Sequence, residues 1–230
     1  MWKGTTWTGN QGTPEWLALK ADGPVIDGVK CATLGGSTIG SVLGNSAFCS
    51  SSELARRIAG FEPPLVANDA MHHGTLTEPV ACAAYAEDAG VGVEHVGAIR
   101  PVVAGLDPSW LIVSPDGLVG SEGCIEIKCP KKMPRLLVDL DPDADPRSLI
   151  YPNYYDQMQL VMASAGRAWC DHVVYVTGPS AEMVVIRVPF DRAYWEDEMV
   201  PAVRNFFHEV VPRVIRTERK MNIAFSALLN

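Results

Sequence analysis

Residues 124–128 alternate strictly between an outward and an inward set, Cys124, Glu126 and Lys128 against Ile125 and Ile127. This is the period-2 pattern of a strand, with Glu126 and Lys128 on one face and the isoleucines turned into a core. Upstream, the apolar run 110–113 (WLIV) leads into the turn tripeptide Pro115-Asp116-Gly117. The pattern predicts a hairpin between the two runs, which would bring Asp116 beside Glu126 and Lys128. Further strands are expected over residues 91–103, 172–177 and 183–188. A helix is expected to start at Pro14, with Thr13 as N-cap, and others over 50–60 and 68–90. The 68–90 helix would present Val80, Ala83 and Ala84 on one face and stop at Gly90. Residues 151–166 read as a helix with Leu160, Val161 and Met162 near its buried side. Residues 191–220 are helical in composition and interrupted by Pro201 and Pro212. These elements predict an α/β (or α+β) fold, a central mixed sheet with helices on both sides, forming one domain over residues 1–230.

Composition narrows the setting. The chain has 230 residues, 47% hydrophobic and 20% charged, as expected of a globular domain. No apolar run approaches the roughly 20 residues needed to cross a bilayer, and the opening MWKGTTWTGNQG lacks a signal-peptide core. The expected location is the cytoplasm. Six cysteines without a CxxC pair argue against a zinc ribbon and for free thiols. A net charge of −8 is unlike a protein that coats DNA, so any DNA binding requires a local basic channel on an acidic body. Part of the acid excess lies in residues 139–145 and 196–198.

Two carboxylates and an ammonium on one sheet face make a hard-oxygen site for Mg²⁺ or Mn²⁺, with a lysine able to orient or deprotonate a water. A Glu-x-Lys triplet by itself is common as a surface ion pair. Here it lies within SPDGLVGSEGCIEIKCP, residues 114–130. That wording resembles the PD-(D/E)xK nucleases with their restriction-endonuclease-like core, and within them the lambda exonuclease and YqaJ-type viral recombinase family. The resemblance covers roughly residues 14–190.

The resemblance implies that Asp116, Glu126 and the Ile127 carbonyl hold the metal, with Lys128 acting on the water. It also places Glu78, through the spacing Gly74-x₃-Glu78, at the catalytic centre. Thr75-x-x-Glu78 is equally a capping box, in which Glu78 would only bond a backbone N–H, and Pro79 suits a helix start better than an interior. The family's Tyr-x₂-Gln-x-Gln segment matches Tyr154, Gln157 and Gln159, implying contact of a glutamine with the attacking water or the scissile region.

For DNA binding, the family's Trp and Arg become Trp16 and Lys20, implying a 5′-phosphate site that keeps the cation without the guanidinium fork. Lys30, in an insertion over residues 21–32, is a second candidate. The segment from Gly35 through Ser37 to Gly44 resembles a family motif whose backbone N–H groups face a phosphate. Lys131, with Lys132 and Arg135, follows the catalytic strand, either along a phosphate backbone or as a solvated patch. Other superfamily members hold an iron–sulfur cluster with three late cysteines, whereas here only Cys170 lies beyond the motif.

The implied activity is 5′-to-3′ exonuclease action on linear double-stranded DNA ends, leaving a 3′ strand for recombination. Implied partners are a single-strand annealing protein and two further copies of the chain in a trimeric ring. An endonuclease on the same core, or a non-catalytic protein that binds DNA ends or a partner, are the alternatives.

Overall fold

The computed structural model describes residues 4–63, 66–103, 105–138 and 144–228, with the side chains of 224–228 left aside. Most of the acidic run 139–145 lies outside the described residues. In chain order the strands are β1 (Thr5–Trp7), β2 (Val25–Ile26), β3 (Val29–Lys30), β4 (Leu34–Gly35), β5 (Val93–Glu94) and β6 (Ala98–Arg100). They continue with β7 (Leu111–Ile112), β8 (Gly117–Val119), β9 (Gly123–Lys128), β10 (Trp169–Val176) and β11 (Glu182–Pro189). The α-helices are α1 (Pro14–Ala21), α2 (Ile39–Leu43), α3 (Ser51–Ile58), α4 (Asp69–Ala89), α5 (Pro152–Ala165), α6 (Val200–Asn205) and α7 (Val211–Leu228).

The main sheet has the order β11-β10-β9-β8-β5. β9 and β10 run parallel and the other neighbours antiparallel, so the sheet is mixed as expected. A parallel pair needs a crossover, and α5 supplies it. The sheet is covered on both faces. Ala81, Cys82 and Tyr85 of α4 pack on Ile125, Ile127 and Val173. On the other face Met158, Leu160, Val161 and Met162 of α5 join the larger core with Cys124 and Cys170. The three layers leave β9 buried on both sides.

Several expected elements hold their place. Thr13 caps α1 with Pro14 in its first turn, Ser50 and Glu53 close a capping box on α3, and Gly90 and Gly166 end α4 and α5 with positive φ. Others shift. Residues 91–103 divide at Gly97, where a side chain would collide with Trp7 and the Gly9 carbonyl. As a result β5 joins the main sheet while β6 pairs with β1. The hairpin partner of β9 is β8, because residues 111–112 pair instead with β4 in a separate parallel ladder. The buried face of α4 is Thr77, Ala81, Cys82 and Tyr85, while Val80 is exposed.

The C-terminal stretch is not broken at its prolines. π-turns at Tyr194–Met199 and Phe206–Val210 precede α6 and α7, and Pro201 and Pro212 each fall at the second residue of the following helix. The widened turn accommodates a residue that has no N–H to give.

Candidate active site

The β8–β9 register pairs Gly117 with Ile125 and Leu118 with Cys124. Continued by one residue, it sets Asp116 opposite Glu126. Opposed residues project to the same face, so two carboxylates meet just beyond the end of the ladder. The Ile127 N–H bonds Asp116 Oδ2 at 2.6 Å, taking over where β8 stops. In a strand the N–H and C=O of one residue leave on the same edge. The Ile127 carbonyl is therefore also directed to the Asp116 side, past the last ladder pair. Lys128, two residues from Glu126 and on its face, donates from Nζ to Glu126 Oε1.

Burial sets the electrostatics. Glu126 is 1% exposed, and its Oε2 has no hydrogen-bond partner. Desolvation, with the neighbouring Asp116 charge, pushes its carboxyl up to about 7. Asp116 is raised to about 6 mainly by burial, against the pull of Lys128. The Lys128 ammonium is held well above its ordinary range, because the Glu126 and Asp116 charges outweigh its own burial. Glu78, on α4, is raised by burial and by Glu126 and lowered by Lys128, so it lies in the same field. The capping-box alternative for Glu78 does not hold. The α4 helix begins at Asn68, whose side chain accepts from Ala70 and Met71, and Thr75 Oγ1 donates to the Met71 carbonyl. Pro79 stands inside the helix, contrary to expectation, on its exposed side.

A buried carboxylate oxygen with no partner is costly unless something charged or hydrogen-bonding meets it. Two carboxylates with a carbonyl at the same edge fit Mg²⁺ or Mn²⁺, which take hard oxygens and keep several waters. Among the described residues no three His, Cys, Asp or Glu side chains gather around one point. The donor set thus suits a partly hydrated ion rather than a closed zinc cage.

The α5 helix lies over this face. Its Tyr154 ring stands 4.8 Å from Lys128 Nζ and 5.9 Å from the ring of His172, which is in register with Glu126 on β10. Gln157 follows one turn later and touches Gly36, where an added methyl group would sit 3.5 Å from its Cγ. Gly35 in turn faces Lys20, whose Nζ would lie 3.7 Å from such a group. Lys20 is half-buried, stacks over Trp16 at 4.2 Å, and has a lowered pKa from desolvation. Trp16 is fixed by its indole N–H, which donates to Ser114 Oγ and the Gly97 carbonyl. Lys20 and Gln157 therefore each stand beside the Gly35–Gly36 turn, with Ser37 exposed on the same turn.

Two expected DNA contacts, Lys30 and Gln159, are placed differently, while Lys131 lies where expected. Lys30 sits on the β2–β3 hairpin, turned by Asp27 and Gly28 with positive φ, and is bound to Asp22 at 2.8 Å and the Gly23 carbonyl at 2.7 Å. Lys131 is exposed beyond β9. Gln159 is fully buried and spans the chain after β11, donating to the Pro189 carbonyl at 3.0 Å and accepting from the Asp191 N–H at 2.8 Å. Its neighbour Gln157 points to the site because helical side chains two residues apart face different ways. Gln159→Leu should lower unfolding free energy by about 1–2 kcal/mol by removing the bonds to two half-buried or exposed backbone groups, read from urea denaturation, with no change in DNA affinity.

His172 was not expected as part of the site, and Tyr154 was expected only as a motif letter. The parallel register that brings His172 to Glu126 pairs residues 46 apart in sequence and leaves no local signal. Tyr154 had one, an aromatic residue one turn before Gln157.

A sequence model of the YqaJ-like viral recombinase domain matches residues 15–168, two-thirds of the chain. The chain belongs to this family. The YqaJ-like match contains Lys20, Glu78, Asp116, Glu126, Lys128 and Gln157, and ends at the threshold of β10. The chain is also similar to LHK-Exo, an alkaline exonuclease from Laribacter hongkongensis, with 29% identity, TM-score 0.63, and 92% of this chain and 100% of that one covered. A complex of LHK-Exo with dAMP superposes equally well, at TM-score 0.64. A phage-related exonuclease from Haemophilus somnus 129PT shares the fold at 10% identity and TM-score 0.56, covering 83% of this chain and 97% of that one. No curated protein matches the chain. Among the described residues no helix is long and apolar enough to cross a membrane.

Proposed function

We propose that this protein is a metal-dependent deoxyribonuclease that resects linear duplex DNA from its 5′ ends. Membership of the YqaJ-like family, with alkaline exonucleases among its structural relatives, makes it a nuclease acting on DNA. The observation that carries the finer reading is the pairing of Asp116 with Glu126 beside Lys128, with one Glu126 oxygen left without a partner. Asp116, Glu126 and the Ile127 carbonyl are the residues to hold Mg²⁺ or Mn²⁺. Such an ion lowers the pKa of a bound water and offsets charge on the phosphate oxygens. Lys128, held as an ammonium by the carboxylates beside it, would orient that water rather than take its proton, and Glu78 and Gln157 would hold its remaining hydrogen bonds.

Lys20 over Trp16, with the N–H groups of the Gly35–Ser37 turn, supports recognition of the 5′-phosphate. The cation has no carboxylate partner among the described residues, and an anion would compensate its burial. Lys131 is suited to the backbone just beyond the scissile bond. The reading extends to a trimeric ring around the product duplex, to a single-strand annealing protein that takes the 3′ strand, and to the cytoplasm of a phage host.

The test is digestion of 5′-phosphorylated linear duplex against covalently closed circles, with Mg²⁺ and with chelator. Metal-dependent loss of the linear DNA alone, slower from a 5′-hydroxyl, is the expected result. Cutting of circles would replace exonuclease by endonuclease. Binding of ends without cutting would leave a non-catalytic end-binding protein.

A further inference from the structure

A lysine that handles a water must hold its ammonium at one point, yet its four-carbon stem is the most mobile of the cationic side chains. In this site Lys128 has two visible supports. One is Glu126 Oε1, which the proposed function also requires as a metal ligand. The other is the Tyr154 ring, at 4.8 Å from Nζ. That distance lies within the range of a cation over an aromatic face, a contact that strengthens when the pair is shielded from water. Side-chain exposure of Lys128 is 27%.

The ring itself contacts two others. His172, buried on β10, lies 5.9 Å away, and Tyr151, half exposed, meets Tyr154 edge-on at 5.9 Å. α5 anchors the tyrosine through a continuous buried run from Tyr155 to Ser164. A rigid, two-torsion side chain on a packed helix is a better fixed point than a carboxylate shared with an ion.

We propose that Tyr154 is a positioning residue, whose ring face holds the Lys128 ammonium at the carboxylate pair. The role belongs to the ring and not to the hydroxyl, so Phe substitutes for Tyr and an aliphatic residue does not. The kinetic consequence rests on the nuclease reading above; the placement of the ammonium does not, and the experiment separates them.

The full-length protein is reductively methylated with ¹³C-formaldehyde, which keeps the lysine charge, and the Lys128 resonance is assigned by its loss in Lys128→Arg. In the wild type and in Tyr154→Phe the signal should be displaced upfield by the ring current. In Tyr154→Leu it should return to the position of the solvent-exposed lysines. On linear duplex DNA, Tyr154→Leu should lower kcat about tenfold at unchanged KM, and Tyr154→Phe should stay within about twofold of the wild type. A Lys128 signal already at the bulk position in the wild type overturns the proposal. So does a Phe variant as impaired as Leu, or a Leu variant that changes KM alone. If the wild type cuts no DNA, the nuclease reading fails while the resonance still decides the role of Tyr154.

Discussion

Lys128→Ala is expected to lower the rate of phosphodiester cleavage about a thousandfold while leaving DNA affinity within a few-fold of the wild type. Lys128 is the ammonium against Glu126, and it also lowers the carboxyl pKa of Asp116 and Glu78. Its removal acts twice. The ammonium that would orient the water is lost, and the carboxylates hold protons to still higher pH, so less of the protein is in the ionised state that binds metal. DNA affinity is spared because the proposed phosphate contacts, Lys20 and the Gly35–Ser37 turn, lie on other elements. Single-turnover cleavage with Mg²⁺, set beside fluorescence anisotropy of the same duplex in chelator, measures the two effects separately. Activity retained within tenfold of the wild type would remove Lys128 from the mechanism.

The buried carboxyl pair should make the metal-free protein less stable at pH 8 than at pH 5, by about 3 kcal/mol, and His172, lowered to about 4 by burial, offsets part of that fall. Burial raises Asp116 to about 6 and Glu126 to about 7. In the unfolded chain both have ordinary carboxyl values near 4. Between about pH 4 and pH 7 the folded state therefore holds protons that the unfolded state has released, and stability falls as pH rises through that window. Lys128, raised above its ordinary value, stays charged throughout and adds a constant. Three consequences follow for urea denaturation at a series of pH values. The wild type should lose stability from pH 5 to pH 8, Glu126→Gln should flatten the slope, and Mg²⁺ at pH 8 should restore part of the loss by mass action. Cleavage should run the opposite way, falling steeply below about pH 6 as both carboxyls protonate. Stability that rises steadily from pH 5 to pH 8 would contradict the burial of the pair.

The sequence carried the site's chemistry better than its geometry. Glu126 and Lys128 share a face because a strand alternates, and that follows from five consecutive residues. Asp116 lies beside them as the pattern predicts but by another route, since the turn of the hairpin lies at residues 120–122 and Asp116 is at the open end. Nothing local distinguishes a Pro-Asp-Gly that turns a hairpin from one that enters it; the choice is made by residues 111–112, which pair with β4. The buried face of α4 differs from the predicted one because small residues occur on both sides of that helix, and Thr77 and Tyr85 are buried by what they meet on the sheet. Gln159 matched its motif yet serves the backbone after β11, a partner 30 residues away.

Asp116 and Glu126 lie at one end of the β8–β9 hairpin and its turn, with Gly120 at positive φ, lies at the other. The ladder between them fixes the carboxylates by counting residues from the open end, so the length of the far loop does not enter the count. Descent can therefore lengthen or decorate the tip at Ser121 without moving a ligand, provided that the Glu122 carbonyl keeps its bond to Ala168, while a single residue gained between Asp116 and Gly117 would turn one carboxylate to the opposite face. The two ends of one short hairpin are under opposite constraints, one free to diversify and the other closed to any change of length.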